Sequence, residues 1–252
     1  MKKAIIVLLI IVMAMSFAGC KKQSSKVTVA SDPTFPPFEY VDEETKAMAG
    51  IDIDIMNAIA ENQKFEVEYV NVGFDALVPA MAACQYDASI SGITITEERK
   101  ANMSFSDPYY RTGLILSVKE GNENLSSLEA LNGKIIGSQF GQTGAIMTME
   151  WKDAGIIADF KGYDYLDTAF LDLKNGQIDA VLTDASTAES YAASLGGIVT
   201  VGDLFSSEEY GIVVCQKNTE LLGKINAGLA AIKADGTLDK IMENYMEEIE
   251  EM

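Results

Sequence analysis

Four short segments place polar side chains directly after strand-like stretches, where they would converge on a small ligand. In SDPTFPPFEY three prolines make a rigid turn that would display Asp32, Phe35 and Glu39. In SGITITEERK, Gly92 lets main chain approach closely. Thr94 adds a hydroxyl that donates and accepts, and Arg99 a planar fork matched to a carboxylate. In QFGQTG, Gln139 and Thr143 stand between a strand and a helix, and the first N–H groups of a helix form an anion site. Asp184, just ahead of another helix, suits an ammonium. The inventory is complementary to a zwitterion. Arg99, Thr94 and the helix start at Thr143 can hold a carboxylate; Asp184, the Thr94 hydroxyl and the Gly92 carbonyl can hold an ammonium. Each residue also has an ordinary reading. Asp32 would serve as a turn cap, Phe35 as core, Thr96-Glu97-Glu98-Arg99 as a capped, solvated helix start, and Asp184 as an N-cap.

The composition excludes much else. The 252 residues contain no histidine, which removes the Ser-His-Asp triad, the Cys-His pair and the common catalytic zinc sites. The glycine-containing QFGQTG lacks the lysine of a phosphate-binding loop. No metal or cofactor is required, no activated nucleophile is visible, and no carboxylate pair is evident. A net charge of −19 argues against nucleic acid and against adhesion of the folded body to anionic lipid.

The elements that must position these residues alternate between strand and helix. Strands are expected at 27–30, 65–70 and 88–90, with helices at 52–61 and 74–83 between them. A second set follows, with strands at 134–137, 156–160 and 178–182 and helices at 143–151, 168–174 and 185–194. Strand-like stretches at 111–118 and 210–216 connect the sets, and helices at 220–233 and 238–246 close the chain. The pattern predicts an α/β protein of two Rossmann-like lobes, each with a mostly parallel sheet, joined by a two-strand hinge. Residues 26–110 with 211–252 would form one lobe and 111–210 the other, with the cleft at the carboxyl ends of the strands.

The N-terminus reads as an export signal. A basic start leads into a 12-residue apolar run (AIIVLLIIVMAM), too short to span a membrane, which needs about 20 residues. The run ends at Ala18-Gly19-Cys20, which resembles a bacterial lipobox. Residues 1–19 would be removed, Cys20 would carry a diacylglycerol anchor, and residues 20–25 would be a tether. Cys84 and Cys215 are expected as two buried free thiols.

In order and spacing, SDPTFPPFEY, VGFDALVPAM, YDASISGITITEERKANMSFSDPYY, GQIDAVLTD and DGTLDKIMENY resemble the polar amino-acid family of solute-binding proteins of ABC transporters. The likeness covers residues 26–246. It implies a type II periplasmic-binding fold closing over one free L-amino acid, and a monomer that delivers its ligand to a membrane permease. By position, Arg99 would grip the α-carboxylate, helped by the Thr94 and Thr143 backbone. Asp184 would take the α-ammonium with the Gly92 carbonyl and Thr94 hydroxyl. Phe35 and Phe74 would wall the side-chain pocket, and Asp32 and Gln139 would reach its end. Gly50-Ile51-Asp52 stands where the family reads Gly-Phe-Asp, a departure expected to affect packing only. The ligand stays open among glutamine, arginine, lysine, histidine and cystine, with Asp32 favouring a side chain that donates hydrogen bonds. Two other functions remain on the same fold. One is a cyclohexadienyl dehydratase-like enzyme using Asp32 or Glu39 as acid or base; the other is a ligand-sensing domain serving a receptor.

Overall fold

A computed structural model describes residues 26–251. The expected leader, the lipidated Cys20 and the tether lie outside the described residues. The chain opens with β1 (Val27–Ser31) and a small antiparallel sheet of β2 (Thr34–Phe35), β3 (Glu39–Val41) and β4 (Met48–Ala49). α1 (Ile51–Gln63), β5 (Val67–Asn71), α2 (Phe74–Ala82), β6 (Ala88–Ser89), α3 (Glu97–Lys100) and β7 (Ser104–Phe105) follow. β8 (Tyr110–Thr112) leads across to β9 (Leu114–Lys119), β10 (Ile135–Gln139), α4 (Thr143–Asp153), β11 (Asp159–Tyr163) and α5 (Leu166–Lys174). After β12 (Ala180–Asp184), α6 (Ala185–Leu195) and β13 (Ile198–Val201), β14 (Glu208–Tyr210) returns. β15 (Val213–Val214), α7 (Thr219–Ala234) and α8 (Thr237–Glu251) end the fold.

Two five-stranded sheets form the two lobes. Their orders are β5-β1-β6-β15-β7 and β11-β10-β12-β9-β13. They are built alike. β1 runs parallel to β5 and β6, and β10 runs parallel to β11 and β12, as the βαβ pattern predicts. The far side of each sheet is antiparallel: β15 against β6 and β7, β9 against β12 and β13. The sheets are therefore mixed and not mostly parallel, because the strands added there, β15 in one sheet and β9 and β13 in the other, come from segments outside the βαβ units. β8 and β14 pair antiparallel as a separate two-stranded ribbon, with Glu208 opposite Thr112 and Tyr210 opposite Tyr110.

Helix faces and strand burial follow from side-chain spacing. Ile51, Ile55 and Ile59 lie on one face of α1 and are fully buried with Ile225, Leu229 and Ile232 of α7. Each such side chain contributes about 1.5–3 kcal/mol through removal from water. In the second lobe Leu114, Leu116 and Val118 alternate inward along β9 onto Trp151 and Leu182. Among the described residues no helix is long and apolar enough to cross a membrane.

Three expectations change. The continuous strand expected at 111–118 breaks at Gly113 into a hinge strand and a sheet strand, and the stretch 210–216 divides likewise between β14 and β15. β11 starts at Asp159, three residues later than expected, because Ile156 and Ile157 belong to the turn that packs on Trp151. Cys84 and Cys215 are not buried free thiols. They form a disulfide, with Cα atoms 5.0 Å apart, and Cys84 is exposed. The pairing joins residues 131 apart in sequence because α2 packs over the sheet that β15 enters, sharing a core of Leu77, Met81 and Val213.

Candidate ligand-binding site

The equivalent strands of the two lobes deliver the polar residues. Asp32 follows β1 and Gln139 ends β10; Gly92 and Thr94 follow β6 and Asp184 ends β12. All are buried, and they meet where the lobes face one another. The loop after β6 is held by β14: Thr94 bridges to Tyr210, and the Ile95 N–H donates to the Glu209 carbonyl at 2.8 Å.

Arg99 has two attachments. Its backbone N–H donates to Thr96 Oγ1 at 3.2 Å, so the expected cap at Thr96 forms. Its side chain is buried in the cleft, donating from Nη1 to the Thr94 carbonyl at 2.8 Å and from Nη2 to the Gly141 carbonyl of the other lobe at 2.9 Å. The guanidinium carbon lies 5.6 Å from the centroid of the Phe74 ring. Burial lowers the Arg99 pKa, opposed by the nearby Glu208 and Asp184 charges. Gly141 has φ +82°, and a Cβ there would meet Phe74 Cδ1 at 3.2 Å and Asp75 Cα at 3.4 Å. Both the backbone conformation and the contact between lobes favour glycine at this point.

Asp184 occupies the N-cap position of α6 but makes no side-chain capping bond. Its Oδ1 and the neighbouring Tyr210 hydroxyl are buried without a hydrogen bond of ordinary geometry. Burial first, and then the Glu208 charge, raise the Asp184 carboxyl to about 8; Tyr210 and Arg99 offset this only in part. An incompletely paired buried carboxyl of this kind is what a ligand cation would stabilise.

At the other end of the cleft Asp32 is already surrounded by donors. Its Oδ2 accepts from Gln139 Nε2 of the opposite lobe at 2.7 Å and from the Phe74 N–H at 3.0 Å, and its Oδ1 accepts from Thr34 Oγ1 at 3.1 Å. Burial still raises it to about 6. Gln139 also donates to the Asp164 carbonyl at 3.0 Å, while its Oε1 is buried and unpaired. Tyr191 adds another bond between lobes, donating to the Thr34 carbonyl at 2.9 Å.

Phe35 is buried under the Gly92 loop, beside Phe38 and Tyr210. Gly92 has φ +51°, and a Cβ there would meet Phe35 at 2.8 Å. Thr143 starts α4 as expected, and its hydroxyl donates to Glu208.

Two acidic residues matter beyond those singled out in the sequence. Asp52 is fully buried and accepts from the Gly92 N–H at 2.8 Å and the Tyr109 hydroxyl at 2.9 Å, so it orients the Gly92 loop as well as starting a helix. It lies against Glu39, which is not displayed on the turn but is fully buried, accepting from Ser91 Oγ at 2.8 Å. Burial and the adjoining Asp52 raise Glu39. The fold thus makes a carboxyl pair that was not evident in the sequence, placed beneath the loop. The second residue, Glu208, accepts from Thr94, Thr143 and Ser206. Asp52 resembles an ordinary first-turn carboxylate, and Glu208 sits in the polar run SSEE, which reads as solvated.

Known proteins share this architecture. The profile of "Bacterial extracellular solute-binding proteins, family 3" matches residues 27–248. The chain is 32% identical to the ABC transporter arginine-binding protein 1 of Escherichia coli (strain K12) over 235 residues, 91% of this chain and 94% of that one. An ancestral arginine-binding protein bound to arginine superposes with a TM-score of 0.83 at 41% identity, covering 87% of this chain and 97% of that one. The ancestral protein bound to glutamine gives 0.82 at 42%, with the same coverage. These are binding proteins, not enzymes, and the mixed two-lobed fold is theirs. With a match across nearly all the described residues, the chain belongs to the bacterial extracellular solute-binding proteins, family 3.

Proposed function

We propose that the protein captures a free, cationic L-amino acid, arginine first, and delivers it to an ABC transporter permease. The observation that carries this reading is that Arg99, a buried cation, and Asp184, a buried and incompletely paired carboxyl, reach one cleft from different lobes. Arg99 takes the α-carboxylate, with the Thr94 and Thr143 main-chain N–H groups. Asp184 takes the α-ammonium, with the Gly92 carbonyl and Thr94 hydroxyl. Phe74 and Phe35 shape the pocket between the ends. The side-chain end is rich in acceptors, namely Asp32 and the unpaired Gln139 Oε1, which suits a guanidinium. The names of the relatives, arginine-binding above all, agree with this choice.

On this reading residues 26–110 with 211–252 close against 111–210 about the β8–β14 ribbon, in a monomer tethered outside the cytoplasmic membrane through a lipid on Cys20. Cys20→Ser should release the mature protein or leave an unprocessed precursor, and unchanged membrane fractionation would remove the anchor. A thermal-shift panel of the twenty amino acids tests the ligand. Stabilisation follows RT ln(1 + [L]/Kd), about 4 kcal/mol at roughly a thousandfold excess over Kd, and arginine should give the largest shift. No shift with any amino acid would overturn the function.

A further inference from the structure

Glu208 has no part in the reading above, yet it is a buried group with polar contacts to both lobes. Its Oε2 accepts the Thr94 hydroxyl at 2.6 Å and the Thr143 hydroxyl at 2.9 Å, and its Oε1 accepts the Ser206 hydroxyl at 2.9 Å. Thr94 follows β6 in the first lobe, Thr143 opens α4 in the second, and Glu208 begins the returning hinge strand. One carboxylate oxygen therefore joins both lobes and the hinge. Its charge also lies close to Arg99 and Asp184.

A threonine hydroxyl has one proton to give. Thr94 and Thr143 both give theirs to Glu208. Thr94 Oγ1 then has only lone pairs left for a ligand, and Thr143 has only its main-chain N–H. We propose that Glu208 is a positioning residue that sets the Thr94 hydroxyl as an acceptor for an α-ammonium and, through Thr143, completes that setting only when the lobes are closed. The inference rests on the α-amino-acid reading of the cleft. It adds a source of discrimination that Arg99 and Asp184 do not supply. An ammonium donates three protons, enough for Asp184, Thr94 and the Gly92 carbonyl. An α-keto acid donates none and would face the Thr94 hydroxyl lone pair to lone pair.

Glu208→Leu removes the acceptor at similar size, so both threonine protons must turn elsewhere. Glu208→Gln would not force this, since its amide oxygen can take the Oε2 place and accept both threonines while its NH2 faces Ser206. Calorimetric titration with L-arginine compares wild type, Glu208→Leu, Thr94→Val and the double variant, with melting temperature as the folding control. Glu208→Leu should weaken binding about ten- to a hundredfold, as expected when a hydrogen bond to a charged group is lost. Because Glu208 acts through the Thr94 hydroxyl, the double variant should match Thr94→Val within about twofold. Additive losses would overturn the proposal. A second arm uses 5-guanidinopentanoate, which is arginine without its α-amino group. Its weaker affinity should be unchanged by Glu208→Leu, and an equal loss for both ligands, as from general disruption, would also overturn it. If wild type binds no α-amino acid, the underlying reading fails and the proposal falls with it; if wild type binds but the variants add, only the Glu208 assignment fails.

Discussion

At the Arg99 end of the cleft three ionisable groups from both lobes and the hinge are buried together, and Asp184 is left incompletely paired. At the Asp32 end a single carboxylate is already met by three donors, one of them Gln139 from the opposite lobe. The two ends place their electrostatic cost differently. On the proposed reading, the first holds a buried guanidinium and an incompletely paired carboxyl that a ligand's α-groups would complete, so it should depend little on which amino acid arrives. The second is nearly satisfied within the protein, so a ligand side chain must exchange bonds there, and only a better donor gains by doing so. Affinity should therefore reside mainly in Arg99 and Asp184, and selectivity in Asp32 and Gln139.

The largest effect should follow loss of Arg99. Removing one partner of a buried charge pair costs about 2–5 kcal/mol, so Arg99→Ala should weaken binding roughly 30-fold to several thousandfold, for every amino acid bound. Arg99→Lys keeps the charge without the fork and should remain clearly impaired. Near-wild-type affinity in folded Arg99→Ala would place the carboxylate elsewhere and dissolve the contrast between the ends.

Next comes a dependence on pH. Asp184 is raised to about 8 in the protein without ligand, whereas a bound ammonium calls for the carboxylate. Binding near neutral pH should therefore release up to about one proton and strengthen, by as much as about tenfold per pH unit, until pH reaches about 8. The same shift has a stability sign. The folded protein holds a proton that the unfolded chain loses near its ordinary value of 3.8. That contribution is fully present below about 3.8 and is lost as pH rises through about 8. Calorimetry in buffers of different ionisation enthalpy measures the proton count. Asp184→Asn should bind weakly with no such release, and an undiminished release in that variant would assign the proton to another group.

The smallest effect should be at Asp32, and it should depend on the ligand. Asp32→Asn is expected to weaken arginine by about tenfold and glutamine by less than about threefold, because a charged donor loses more than a neutral one. Equal losses would mean that Asp32 only holds the turn and the lobe contact to Gln139.

Local sequence carried a good deal of this. The helix starts at Thr143 and Ala185 were legible from capping and turn residues, and the cap at Thr96 from Thr-Glu-Glu-Arg. The strands that lead to Asp32, Gln139 and Asp184 followed from alternation and from the βαβ order, but β10 and β12 each run two residues further than expected and take Gln139 and Asp184 as their last residues. Arg99 shows how a local reading can be right and incomplete, since its backbone completes a cap while its side chain enters the cleft. At Asp184 the N-cap position was legible, but the absence of a capping bond was not.

What the sequence by itself determined is the set of elements and the residue types at their ends, because both depend on neighbours a few positions apart. The tertiary structure alone decided which distant groups share a space. It set Glu208 between Thr94 and Thr143, buried Glu39 against Asp52, joined Cys84 to Cys215, and turned the far half of each sheet antiparallel. Each of these results from chain segments meeting across tens of residues. The electrostatics follow the same division. A carboxylate's charge is written in the sequence, but its proton affinity depends on burial and neighbours, so Asp184 at about 8 and Asp32 at about 6 could emerge only once the fold had removed them from water.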